Sequence, residues 1–155
     1  MRKLILFFML MATLALSAQT KSALQEVCDY LHDCGIFYIA TVDGDQPRVR
    51  PFAVAEVYNG KLYIQTGKKK NVFKQMMANP KFEITAVKPS DSEWIRISGK
   101  LVNDDSREAK VYVLDKNPDL KGMYSADDDN TAVLYITDGV AEFCSFSAPT
   151  KEVKF

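Results

Sequence analysis

A mainly β, α+β fold, an antiparallel barrel with short helices packed on its outside, is what the sequence predicts. Three observations predict it. Six or seven β-rich runs of about six to ten residues span most of the chain. Turn dipeptides such as Asp43-Gly44, Asn59-Gly60 and Asp138-Gly139 separate them. Helical periodicity is confined to three short stretches. A β-sandwich is the alternative, but closing the sheet removes exposed edges.

The elements follow in order. Ser22 caps a helix whose apolar positions Leu24, Val27, Cys28 and Leu31 recur at helical spacing, and Gly35 stops it. Ile36 to Val42 is the first strand. Pro47 to Val57 continues as a second after Asp43-Gly44, and Asn59-Gly60 turns the chain into Lys61 to Thr66. Asn71 is placed to cap a short helix with Val72, Phe73, Met76 and Met77 on one face, ended by Asn79-Pro80. Strands follow at Phe82 to Lys88 and Trp94 to Val102. Asp104-Asp105-Ser106 opens a helix to about Asp115, and Ala132 to Thr137 and Val140 to Phe146 close the chain as a hairpin through Asp138-Gly139.

The N-terminus reads as an address. Met1-Arg2-Lys3 is basic, Leu4 to Leu16 is apolar, and the small residues Ser17 and Ala18 precede polar Gln19-Thr20-Lys21. That is the three-part pattern of a cleaved signal peptide, and a run of about 13 residues is short of the roughly 20 that span a bilayer. The expectation is residues 1–18 as a signal peptide, cut after Ser17 or Ala18, and residues 19–155 as one domain exported to the periplasm or cell envelope without a stable membrane anchor. The whole chain carries 20 basic and 20 acidic residues. Without the leader the balance is 18 against 20, net −2 over 137 residues. Such a charge and ordinary apolar content exclude a disordered chain and a nucleic-acid binder held by phosphate contacts alone.

Cys28, Cys34 and Cys144 all lie in the exported portion. Within one continuous helix Cys28 and Cys34 are about 9 Å apart along the axis, too far for a bridge, so pairing requires the helix to end before Cys34. The preferred reading is small apolar core residues. His32 is the one histidine. A serine or cysteine triad and a histidine-based zinc site therefore lack support, no catalytic residue is assigned, and no metal is expected. Asp127-Asp128-Asp129-Asn130 lacks the glycine and distant glutamate of a calcium loop and reads as a solvated loop.

The chemistry concentrates in two basic elements. Arg48 and Arg50 alternate on the second strand, so both face one side, where only an anion would make them tolerable inside a barrel. Thr66-Gly67-Lys68-Lys69-Lys70-Asn71 lies where a strand ends and a helix begins, so that hydroxyl, ammonium and helix-start amide groups can converge on a phosphate.

Four segments in order and spacing carry a resemblance: Tyr38 to Phe52 with Gln-Pro-Arg-Val-Arg-Pro, Gly60 to Thr66, Lys69 to Gln75 followed by Asn79-Pro80, and Trp94 to Lys100. The chain resembles the pyridoxamine 5'-phosphate oxidase-like, FMN-binding split-barrel family from about Leu24 to Phe146. The resemblance implies a six-stranded antiparallel split β-barrel with short flanking helices, a homodimer, and one FMN in each of two clefts at the dimer interface. It places Arg50 on the FMN phosphate with Arg48 beside it, and Pro51, Phe52 and Ala53 along the isoalloxazine ring. Thr66, Lys69 and Lys70 occupy the phosphate-side turn, Lys74 lies one turn into the helix, and Trp94 and Arg96 are on a strand that reaches the cleft. The implied activity is that of an FMN-dependent oxidoreductase on a small molecule. The alternative is a non-catalytic barrel that binds flavin, haem or another anionic cofactor. The extension that closes the pyridoxal phosphate site of the family's namesake has no counterpart after Phe146, which points away from pyridoxamine phosphate oxidation itself.

Overall fold

A computed structural model describes residues 22–88 and 92–155. The predicted signal peptide and its cleavage point lie outside the described residues. Eight strands and three α-helices occur among them: α1 (Ala23–Cys34), β1 (Phe37–Asp43), β2 (Gln46–Phe52), β3 (Ala55–Tyr58), β4 (Lys61–Gly67), α2 (Asn71–Ala78), β5 (Lys81–Val87), β6 (Glu93–Asp104), α3 (Arg107–Lys116), β7 (Thr131–Ser145) and β8 (Lys151–Lys154). A 3-10 turn, Pro118–Gly122, follows α3.

All strands belong to one antiparallel sheet of order β2-β1-β5-β6-β7-β4-β3, with β8 also paired to β7. A sandwich would need two sheets. The order has a consequence for shape, because β2 and β3 are the two edges and only Ala53 and Val54 separate them. Seven strands laid flat span about 29 Å at ~4.8 Å per strand, whereas the link from Phe52 to Ala55 reaches about 10 Å. The sheet must therefore curl until its edges meet, and since β2 and β3 do not pair, it stays open at that seam. This is the split barrel.

The predicted second strand, Pro47 to Val57, is thus two strands on opposite edges. Pro51 lacks an N–H and sits on an edge strand, where the absence costs no ladder bond. The predicted closing hairpin is also absent. β7 runs continuously through Asp138-Gly139, which form a bulge opposite Gly99 of β6, where the register shifts between Ser98 and Lys100. Asp138 takes a φ of 51°, and Gly139 exchanges two backbone hydrogen bonds with Phe155, of 2.8 and 2.9 Å. The dipeptide bends the strand and receives the C-terminus instead of reversing the chain.

α1 forms as read: Ser22 Oγ accepts the Gln25 N–H at 3.1 Å, and Gly35, at φ 71°, closes the C-terminus. The helix runs on through Cys34, so the condition for a Cys28–Cys34 bridge is not met. In α2 the cap is Lys70 instead of Asn71, and Gln75 is buried where Met77 was expected, Met77 being exposed. The main core fills the barrel with Phe37, Ile39, Ile64, Ile84, Ile95, Ile97 and Leu134 under α1 and α2. A second, smaller core of Val54, Tyr63, Ala109, Val113 and Val133 lies between the barrel wall and α3.

Candidate functional site

At the seam the chain leaves β2 and opens a cleft of about 310 Å³. Arg50, Pro51, Phe52, Ala53 and Val54 line one side, Gln65, Thr66, Lys70 and Val72 the other, and Leu120 of the 3-10 turn overhangs it. Arg50 lies opposite Ile39 of β1, so its stem shares a face with the core while its head emerges at the barrel's end. The guanidinium is held at two points: Nη1 donates to Thr41 Oγ1 at 2.7 Å and Nη2 to Gln75 Oε1 at 2.8 Å. Thr41 also donates to Gln75 Oε1, at 3.0 Å. Guanidinium groups only donate, so the amide oxygen of Gln75 must face Arg50.

None of the groups bonded to Arg50 is anionic. Burial lowers its pKa first and repulsion from Arg48 lowers it further, with Asp43 offsetting part of this. The guanidinium thus remains charged in a field that an incoming anion would improve, with donors to spare beyond the two in use.

The other predicted site residues divide. Pro51, Phe52, Thr66 and Lys70 join Arg50 in the cleft wall. Arg48 shares Arg50's face but is exposed, its Nε 3.5 Å from Asp43 Oδ2. Lys69 gives its backbone N–H to Asn130 Oδ1 at 3.1 Å and is not in the wall. Lys74 lines a separate groove of about 420 Å³ with Asp43, Asn71 and Gln75, the last of which is bonded to Arg50 of the cleft. Lys68 is bound to Asp105 at 2.5 Å. Trp94 and Arg96 lie away from the cleft in this chain, Trp94 against Phe146 with ring centroids 5.0 Å apart, and Arg96 between Glu83 and Glu142.

Sequence reading missed Thr41 and Gln75, the two residues that aim Arg50. The available signal was a polar Gln at position 75, three residues after Val72 on the core-facing side of a short helix. Leu120 carried no signal, because its place depends on how the 3-10 turn folds back.

The acidic loop acts on itself. Asp127 pairs with Arg107, and Asp128 accepts the N–H groups of Ser125, Asn130 and Thr131. Burial pushes the Asp128 carboxyl up, but these bonds outweigh it and hold the pKa at about 2. No group of three or more His, Cys, Asp or Glu suited to a metal occurs among the described residues. His32 lies on α1 and contacts the Ala55 carbonyl, outside the cleft lining.

A curled antiparallel sheet left open at one seam, with a fixed guanidinium at the opening, defines the split-barrel class of cofactor-binding proteins. Within it, the chain belongs to the pyridoxamine 5'-phosphate oxidase-related, FMN-binding family, whose sequence profile, "Pyridoxamine 5'-phosphate oxidase", matches residues 23–138. A NimC/NimA family protein from Clostridium acetobutylicum is 45% identical, with a TM-score of 0.82 over 85% of this chain and 92% of that one. A haem binding protein from Mycobacterium smegmatis shares the fold at 14% identity, with a TM-score of 0.67 over 86% of this chain and 58% of that one. A pyridoxamine 5'-phosphate oxidase-related, FMN binding protein from Nostoc punctiforme does so at 14% identity, with a TM-score of 0.58 over 84% and 94%. No curated protein matches the chain.

Proposed function

We propose that this protein is an exported, homodimeric flavoprotein that binds FMN at the seam and acts as an oxidoreductase on a small molecule. One observation carries the reading: Arg50, fixed by Thr41 and Gln75, presents unspent donors and a positive field at the mouth of a cleft with an otherwise largely apolar wall. The donor set fits a phosphate joined to a planar ring. Arg50, Thr66 and Lys70 would hold the phosphate, and Pro51, Phe52 and Ala53 would flank the ring beside the unpaired edge backbone. Charge-assisted hydrogen bonds contribute about 1.5 to 3 kcal/mol each, so three such groups suffice for a firm anchor. Flavin supplies the redox chemistry when bound. The chain's residues orient it and keep one face open to substrate.

The same lining favours flavin over haem. None of its members is a His, Cys, Met or Tyr, the side chains that serve as axial ligands to haem iron. It also contains no carboxylate or imidazole to relay protons, which keeps non-catalytic carriage of a flavin as the second reading.

The dimer has support of its own. Tyr38, Val49 and Val87 lie exposed on the outer face of β1, β2 and β5, and Trp94 adjoins them across β6. A cleft of about 310 Å³ is at the lower end of ligand pockets, so a second copy against this face would complete the site. Sedimentation of the wild type and of Val49→Asp tests this, with a dimer expected for the former and a monomer for the latter. The cofactor reading is tested by the visible spectrum of the purified protein and by titrating FMN into it. A colourless protein that leaves FMN fluorescence unquenched would refute it.

A further inference from the structure

The groove of about 420 Å³ beside the cleft lies between α2 and the β1–β2 hairpin. Asn71, Lys74, Gln75 and Ala78 recur at helical spacing and so form one face of α2, with Val42, Asp43 and Gly44 of the hairpin as the other wall. Its volume falls within the range of ligand sites, about 300 to 1,000 Å³.

Gln75 decides the chemistry of the groove. The residue is 7% exposed, and its oxygen accepts twice, from Thr41 Oγ1 at 3.0 Å and from Arg50 Nη2 at 2.8 Å. Both partners donate, so the carbonyl end is fixed toward them and the amide nitrogen turns its two N–H groups away. Those N–H groups have no partner among the described residues, yet the nitrogen is not one of the fully enclosed unpaired atoms, which are Asn103 Oδ1 and Thr131 Oγ1. It is therefore accessible, and Gln75 lines this groove and not the cleft. A buried amide whose donors lack a protein partner is uncommon, because it forfeits hydration without replacing it. The Lys74 ammonium and the Asn71 side chain are also without a partner among the described residues. Asp43 is the one carboxylate in the lining, and its Oδ2 lies 3.5 Å from Arg48 Nε, so Lys74 leaves the groove with one uncompensated positive charge.

We propose that this groove is a binding site for a small carboxylate with a short apolar tail. One carboxylate oxygen accepts from the Gln75 amide, the other meets the Lys74 ammonium with Asn71 beside it, and the tail lies on Val42 and Ala78. A single uncompensated cation matches a carboxylate better than a phosphate dianion, and burying charge without a counter-charge is costly. The site does not depend on what occupies the cleft.

The test titrates sodium butyrate into the isotope-labelled full chain and follows the side-chain amide signals by NMR, with sodium chloride at equal ionic strength as the reference. The Gln75 and Asn71 side-chain signals should shift saturably with butyrate and not with chloride. Lys74→Ala should weaken butyrate about tenfold through loss of one charge-assisted contact, and Lys74→Glu should abolish binding. Lys81→Ala, which removes an exposed lysine outside the groove, should leave the affinity unchanged. Added FMN should leave butyrate bound. No saturable shift, an equal response to chloride, or unchanged affinity in Lys74→Ala would overturn the site. Displacement of butyrate by FMN, one for one, would make the groove part of the cofactor cleft and overturn it too. A protein that takes butyrate but not FMN keeps this site and removes the cofactor reading alone.

Discussion

Replacing Arg50 by Ala isolates the anchor. The side chain spends two donors on Thr41 and Gln75 and has others directed to the cleft. Two charge-assisted bonds to a phosphate contribute about 1.5 to 3 kcal/mol each, and water recovers part of that once the side chain is gone. A net loss of about 3 kcal/mol corresponds to a roughly 100-fold weaker Kd at 1.4 kcal/mol per decade. Folding should change little, since Thr41 still donates to Gln75 at 3.0 Å after the truncation. Lys68→Ala is the internal control: its ammonium is committed to Asp105 at 2.5 Å, so its removal should change the Kd less than about threefold. The assay is quenching of FMN fluorescence on titration, with circular dichroism to check the fold. Equal effects of the two substitutions would show that the phosphate does not sit at Arg50, and the reasoning from the seam would fail.

Three further outcomes follow from the same geometry. Gln75→Glu gives Arg50 a carboxylate partner in place of an amide, cancelling the field at the cleft. It should weaken FMN about tenfold in the same titration while the fold holds. Asp128, held at about 2, stabilises the fold above the unfolded carboxyl value of about 3.9, and that contribution is lost as pH falls from about 4 toward 2. Urea unfolding across that window should show stability falling with pH in the wild type and a flatter profile in Asp128→Ala. Gly99→Ala places a Cβ 2.8 Å from the backbone oxygen of Thr137, an atom that cannot rotate away. It should cost about 2 to 3 kcal/mol, read as a lower urea midpoint at unchanged slope.

Which parts of this were legible in the sequence depends on whether a signal was local. α1 was, because its cap, apolar stripe and glycine stop all lie within 14 residues. Most strand positions were, through alternation such as that of β5, though β8 at Lys151–Lys154 was not anticipated. Two dipeptide-scale readings failed for opposite reasons. Asp138-Gly139 carries the local signal of a reversal, but β7 has β6 along its whole length, and that ladder turns the dipeptide into a bulge. Ala53-Val54 carries no turn signal, yet the chain switches edges there because β1 and β4, not the link, set where β2 and β3 pair. The lysine run shows the same limit. Its members are neighbours in sequence, but Asp105 from a distant element binds the Lys68 ammonium, Asn130 fixes the Lys69 backbone outside the cleft wall, and Lys70 alone of the three lines the cleft.

The missed break and the candidate site have one cause. An unbroken strand over Pro47 to Val57 would have kept Arg50 beside its neighbours on one continuous edge, with no opening for its guanidinium to face. Because the chain crosses the seam in two residues, the backbone of Ala53 and Val54 is outside the ladder and their side chains line the cleft. Arg50 lies three residues before that crossing, while Thr66 lies near the end of β4, which pairs with the receiving strand β3, and Lys70 caps α2 just beyond it, so the split brings both basic elements to one mouth. Val54, at the crossing, also joins the cleft wall to the second, smaller core. The proposed cofactor site thus depends on the seam. A substitution that lets β2 and β3 pair would close the cleft.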